Sequence, residues 1–285
     1  MTTTSALTLG AFTDEISSFL DVQISHCVAN GIRYFELRAV NNTNVLDLDD
    51  AMLREIKTKL DDHGLSVISI GSPIGKVRID EDFGPHLDRF KHAADVAEAL
   101  GAPLIRIFSY YPATNETHAD LVARHRNEVM LRLQAKADYM TGRAPMLVHE
   151  NEAQIFGEKA AQCLDIMLSI NSPKLKLAFD FANFVQAKED TLAAWQVLKR
   201  HVIHFHVKDA QGTDGKIVPP GQGDGHITEI LKDAWAGGYR GTLTLEPHLS
   251  AAGQFSGFSG TALFKVAADD LKAICAAAGI PLSLR

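Results

Sequence analysis

Residues 175–207 read LKLAFDFANFVQAKEDTLAAWQVLKRHVIHFHV: an apolar strand ending on Asp180, a helical stretch, and a second apolar strand carrying His204 and His206. Strands joined through a helix lie parallel and are connected by a right-handed crossover. Working outward, the same strand-then-helix pattern recurs eight times. The other strands are LTLGAF from Leu7, YFELR from Tyr34, LSVISI from Leu65, LIRIF from Leu104, MLVHE from Met146 and TLTLE from Thr242. Between them, Leu48 to His63 places Met52, Ile56 and Leu60 on one helical face, and Glu81 to Leu100 aligns Leu87, Phe90, Ala94 and Ala97. Gly31, Gly64, Gly101, Gly238 and Gly279 stand where helices should stop. Periodicity alone also admits an open doubly wound sheet. Eight unbroken repeats favour a closed (β/α)8 TIM barrel, and 285 residues match the ~250 such a barrel uses plus modest insertions. With no Pro/Gly/Ser-rich linker to divide the chain, one domain over residues 1–285 is expected.

Hydrophobic residues make up 46% of the chain and charged residues 22%, ordinary values for a globular core. A formal net charge of -7 works against nucleic-acid partners. Cys27, Cys163 and Cys275 match no metal or redox spacing and read as small apolar residues on helices in a reducing compartment. The start, MTTTSALTLG, has no signal-peptide character, and no segment approaches the ~20 apolar residues of a membrane span, so a cytoplasmic location is expected.

Catalytic groups in such barrels sit at the carboxyl ends of the strands. The last four strands end on Glu150, Asp180, His206 and Glu246. Strand alternation puts Met146, Val148 and Glu150 on one face, Thr242, Thr244 and Glu246 on another, and His204 with His206 opposite Ile203, Phe205 and Val207. The apolar sets must pack outward on helices, so the polar ends converge in the barrel mouth. A lone acid at a strand end is usually a helix cap or a solvated group. Three carboxylates converging in phase instead carry a burial and repulsion cost of several kcal/mol per ion, which a divalent cation resolves. Three oxygen donors and one imidazole suit Mn2+ best, with Mg2+, Zn2+, Co2+ and Fe2+ also accommodated.

At HENEAQIFG from His149, AFDFANFVQ from Ala178, HFHVKDA from His204, VPPGQGDG from Val218 and GYRGTLTLEPHL from Gly238, the chain resembles the xylose isomerase-like barrels, specifically the bacterial sugar phosphate isomerase/epimerase group. The resemblance implies one catalytic metal on Glu150, Asp180, His206 and Glu246, with Glu150 and Glu246 also facing each other across the substrate as acid and base. It implies a small polyol or keto-sugar substrate isomerised or epimerised through an enediolate, with a homo-oligomer allowed. A lyase of the same superfamily, acting on an inosose or dehydroshikimate, and a non-catalytic sugar-binding barrel are the competing readings. Hydride shift would need a second metal, and the sequence offers no second ligand set. Two departures bear on substrate: Asn183 stands where some sugar epimerases carry a histidine, and an arginine expected soon after His206 is missing.

Further candidates lie in phase with the site. Glu36 and Arg38 end the second strand, either meeting substrate hydroxyls or forming an ion pair that braces the barrel. Lys76 could neutralise a phosphate, or be a solvated loop lysine. Lys208, Glu152 and His248 lie beyond the ligands, where a substrate would sit, and His204 reads as a buried support for His206. GQGDG lacks the strand context of a nucleotide-binding loop and reads as a turn.

Overall fold

The computed structural model describes residues 6–252 and 257–284. Among these, eight parallel strands close into a barrel: β1 (Leu7–Phe12), β2 (Tyr34–Leu37), β3 (Ser66–Ile70), β4 (Leu104–Ile107), β5 (Met146–Glu150), β6 (Leu175–Asp180), β7 (Val202–Val207) and β8 (Thr242–Leu245). Each pairs with its neighbour in chain order, and β8 returns to β1 with Thr8 opposite Thr242 and Ala11 opposite Leu245. A short tail strand, Leu282–Ser283, adds to β1 at Leu7 and Thr8. Closure therefore removes the open edge that a doubly wound sheet would retain.

The crossovers are helical. They comprise α1 (Leu20–Ala29), α2 (Asp50–Asp62), α3 (Phe83–Leu100), α4 (His118–Arg124), α5 (Arg126–Tyr139), α6 (Ala160–Ile170), α7 (Phe181–Gln186), α8 (Thr191–Leu198) and α9 (Ile227–Ala236), with α10 (Gly260–Ala277) following β8. Residues 48–63 and 81–100, read as helices from their periodicity, form α2 and α3 with the first two residues of each and His63 left outside. Asp49 and Asp82 cap them by accepting the backbone N–H groups of Met52 and Gly84. Gly101 ends α3 in the left-handed conformation (φ 69°), where a side chain would be strained. The three cysteines are buried on α1, α6 and α10. No described helix is long and apolar enough to cross a membrane.

The main core lies between strands and helices. On β6 and β7, Phe179 and Phe205 face Phe181, Phe184 and Trp195 of α7 and α8, with ring centroids 4.9–6.1 Å apart. Each buried aromatic contributes roughly 1.5–3 kcal/mol. The outward-facing Phe179 obliges the next residue, Asp180, to face the barrel axis. Inside the barrel, a small plug of Leu104, Val148 and Ala178, flanked by Ile68, Met146 and Ile203, fills the space beneath the acids.

Ile203 corrects the phase expected for β7. Leu177 pairs with Val202 and Ala178 with His204, leaving Ile203 as an extra residue. The bulge turns Ile203 inward to the plug, and alternation resumes with His204 and His206 also inward. A similar register shift between β2 and β3 leaves Ile68 unpaired.

Candidate metal centre

The four strand-end residues meet. Glu150, Asp180, His206 and Glu246 are all buried and offer ligand atoms within 4.8 Å of one another. His206 Nδ1 lies 2.8 Å from Glu150 Oε1, and its other ring nitrogen, Nε2, lies 3.2 Å from Glu36 Oε2. Asp180 Oδ1 accepts the Asn183 backbone N–H at 2.8 Å at the start of α7. Asp180 Oδ2 and Glu246 Oε2 are buried and accept no hydrogen bond. Lys208 Nζ is the nearby countercharge, 3.1 Å from Asp180 and 3.7 Å from Glu246. These two carboxylate oxygens, countered by Lys208 but without hydrogen bonds, lie beside a carboxylate and an imidazole and form a donor set that fits a hard or borderline divalent cation.

Charge is balanced by two arginines. Arg106, on β4, reaches Glu150 Oε2 at 3.1 Å and lies 3.7 Å from Glu246 Oε1, while it also donates to the Gly71 carbonyl. Arg38, just past β2, donates to Glu246 Oε1 at 3.1 Å and to Asp14 Oδ2 at 2.8 Å. The ring of Phe12 lies between them, 4.8 Å from Arg38 and 4.7 Å from Arg106, each stacking adding about 0.5–2 kcal/mol.

These neighbours set the protonation states. Burial alone would raise Glu150, but His206 and Arg106 hold it at about 2. Burial likewise opposes ionisation of Glu246, yet Lys208 and His248 keep it well below the ordinary carboxylate value. For Asp180 burial wins, with Glu150 and Glu246 adding repulsion, and its pKa rises to about 7 despite Lys208. Burial disfavours a charge on His206, but Glu150 and Glu36 on opposite sides of the ring raise its pKa well above the usual histidine value.

The remaining candidates fall into three groups. Glu36 is fully enclosed: its Oε2 meets His204 Nε2 at 2.7 Å as well as His206, and Thr244 Oγ1 lies 3.1 Å from that same His204 nitrogen. Its carboxylate thus orients the ligand imidazole from behind, and the brace and the histidine support are one structure. Lys76 is not solvated; it donates to Glu152 at 2.7 Å and lies 4.4 Å from the Phe108 ring centroid. Asn183 donates from its side chain to the Asn151 carbonyl, while Asn151 pairs with the Asp180 backbone in both directions. His248 turns to Glu15 and Glu246 at 3.1 and 3.5 Å. Burial lowers its pKa, but these two carboxylates prevail and raise it to about 8.

Sequence reasoning missed Arg106, Glu15, Asp14 and Asn151. Arg106 had a usable signal: it interrupts an apolar strand in the inward phase of Leu104. The glycine loop is a turn with a purpose, wrapping the Asp209 carboxylate, which accepts the N–H groups of Gly221, Gly223 and Gly225 at 2.8–3.0 Å. A cleft of about 740 Å3 at the opposite end of the barrel, lined by Trp195, Lys199, Arg200 and Gly237–Gly241, contains none of the converging acids.

Residues 24–273 match the model of the xylose isomerase-like TIM barrel. The chain belongs to that family. Within it, the chain is 20% identical over 204 residues to a 3-dehydroshikimate dehydratase from Bacillus anthracis, covering 72% of this chain and 71% of the relative. Among solved structures it is similar to a D-tagatose 3-epimerase-like protein, with a TM-score of 0.74 and 13% identity over 96% of this chain and 98% of that one. It is also similar to a xylose isomerase-like barrel from Mycobacterium smegmatis in complex with magnesium, with a TM-score of 0.70 and 14% identity over 96% and 97% of the two chains. At these identities the structural likenesses establish the shared fold, which the closed barrel bears out.

Proposed function

We propose that this family member is a divalent-metal-dependent isomerase or epimerase of a small polyol or keto-sugar, with or without a phosphate, that works by proton transfer through an enediolate. The observation that carries the reading is the convergence of Glu150, Asp180, His206 and Glu246 with two buried carboxylate oxygens left without hydrogen bonds. The magnesium-bound neighbour supports a cation here, and Mn2+ is the preferred ion on donor chemistry.

A cation held by these four residues would supply Lewis-acid polarisation of a carbonyl and its neighbouring hydroxyl. The protein's own groups then move the proton. Glu246 is ionised, and the oxygen that ligation leaves to it would take the proton from the carbon next to the carbonyl. Glu150, also touched by Arg106, would return a proton to the opposite face or to the neighbouring carbon. Lys208, largely buried beside Asp180, is the cation best placed to hold a substrate oxygen, with Lys76, Asn183 and His248 around it. The three buried free thiols fit a reducing, cytoplasmic setting.

A dehydratase of the 3-dehydroshikimate type is the second reading. It is supported by the Bacillus anthracis relative and by Arg38, Arg106 and Lys208, cations that a carboxylate-bearing substrate would meet. A single screen separates the two. Ketoses, their phosphates, inositol derivatives and 3-dehydroshikimate are incubated with Mn2+ in deuterated water and products are read by mass. Deuterium at carbon without loss of mass supports the isomerase; a product lighter by one water supports the dehydratase. Turnover of a true substrate without exchange would refute the enediolate. Glu246→Gln should bind substrate and fail to turn it over, and retained turnover would remove Glu246 from its role.

A further inference from the structure

We propose that Glu15, His248 and Glu246 form a second divalent-cation site, bridged to the first through the Glu246 carboxylate. The inference rests on Glu246 being a ligand of the first site, and it adds a ligand set that the sequence did not reveal.

Glu15 lies in the turn Thr13–Glu15 immediately after β1 and is fully buried. Its Oε2 is occupied, accepting the His248 backbone N–H at 2.8 Å and the Ser259 hydroxyl at 3.1 Å. Its Oε1 is buried and accepts no hydrogen bond. His248 Nε2 is likewise buried without a hydrogen-bond partner, although it lies 3.1 Å from that same oxygen. The two atoms form an ion pair whose donor–acceptor alignment is poor, and at this spacing they also match two adjacent ligands of one cation. Glu246 Oε1 completes the set 3.5 Å from His248 Nε2, and all three residues offer ligand atoms within 4.8 Å. Ligands at ~2.1 Å from a first-row cation lie about 3 Å apart when adjacent, which these separations match.

The site is built. His248 is held in the left-handed backbone region (φ 48°), an uncommon conformation for a residue with a side chain. Its ring packs on Gly257, where a Cβ would fall 1.6 Å from His248 Cδ2, so only glycine allows the ring its position. The two oxygens of Glu246 face different partners. Oε1 meets His248 and Arg38, whereas Oε2 faces Lys208 and lies 3.9 Å from His206 Nδ1. A carboxylate oriented this way would bridge two cations, and with both bound it keeps no free oxygen, so in the doubly loaded site Glu246 is a ligand and not the base. Arg38 shares Glu246 Oε1 and lies 3.9 Å from Glu15 Oε1, so the second ion competes with a guanidinium and binds more weakly than the first. Two carboxylates and an imidazole suit Mn2+ or Zn2+.

The test is Mn2+ stoichiometry on the full chain after removal of metal with a chelator, read by equilibrium dialysis and by electron paramagnetic resonance. Two Mn2+ per chain are expected, the second filling at higher concentration, with loss of the resolved six-line signal as the pair couples through the shared carboxylate. Glu15→Gln and His248→Gln should each bind one Mn2+ and keep the isolated-ion spectrum. One Mn2+ in the unaltered protein at millimolar metal overturns the proposal and leaves His248 as an imidazolium between two carboxylates. Two uncoupled ions overturn it as well, a measurement that needs no variant to fold. Two ions retained in both variants would have the same consequence. Binding of no Mn2+ would instead refute the proposed function itself.

Discussion

Replacing Arg106 by Ala should be among the most destabilising single changes in the barrel, and metal should partly reverse the damage. Arg106 is 3% exposed and, like His206, lies within reach of both Glu150 and Glu246. Its removal takes one cation from Glu150, which keeps His206, and one from Glu246, which keeps Arg38 and Lys208, so the electrostatic loss is about 1–3 kcal/mol, below that of a fully broken buried pair. The lost stacking on Phe12 and Phe108 adds about 0.5–2 kcal/mol each, partly offset because Arg38 still covers Phe12. Together these come to about 2–5 kcal/mol, and at roughly 2–4 °C per kcal/mol for a domain of this size Tm in chelator should fall by about 4–20 °C. A divalent cation between the same carboxylates supplies the missing positive charge, so saturating Mn2+ should raise the Tm of Arg106→Ala by more than it raises that of the unaltered protein. The assay is circular dichroism melting with chelator and with Mn2+, using the exposed Arg89→Ala as control. A fall no larger than that of Arg89→Ala, or a fall independent of metal, would refute the electrostatic account of Arg106.

Metal binding should release protons and strengthen with pH. In the metal-free site His206 is raised well above its usual pKa and Asp180 to about 7, so both hold protons that a cation must displace as pH falls below 7. Calorimetric Mn2+ titrations in buffers of different ionisation enthalpy at pH 6 and 8 should show tighter binding at pH 8, and an affinity that ignores pH would contradict these states. Glu36→Gln keeps the shape but weakens the anion behind His206, and should cost about 10–100-fold in metal affinity with little change in fold; an unchanged affinity would make Glu36 a brace only. Gly223→Ala places a Cβ 2.4 Å from both the Ala210 carbonyl and Asp209 Oδ1, and should destabilise by about 1–3 kcal/mol in urea melts, whereas Gly101→Ala, with open space around it, should pay only for its left-handed backbone.

Much of the barrel is legible because one periodicity decides it. Strand alternation and a glycine after five of the helices place the eight strands, and the inward phase of Glu150, Asp180, His206 and Glu246 follows from the apolar residues beside them. Alternation fails at Ile203, because a bulge is a one-residue change in partner count that leaves no trace in hydropathy. Arg106 is hidden for a different reason. Its charge is cancelled across the barrel by residues 44 and 140 positions away, and only closure of the sheet reveals the pairing. Glu15 is harder still: its partners, Ser259 and His248, belong to the irregular segment after β8, where no period exists to read. Glu36 was placed on the correct face, but its depth, beneath the imidazoles and away from the mouth, depends on strand stagger around the barrel.

The pairing of β1 has a consequence for how the chain comes into being. One flank of β1 meets β2 soon after β1 itself is made, since Gly10 pairs with Tyr34. Its other flank waits for residues 242–245, and its first two residues wait for Leu282 and Ser283. At ~5–20 residues per second the ribosome needs roughly ten to fifty seconds to deliver β8. Throughout that interval Leu9 and Ala11, buried in the finished barrel, belong to a strand with an uncovered hydrogen-bonding edge. The growing chain is therefore open to wrong pairing at β1, and closure with β8 is the step that covers that edge.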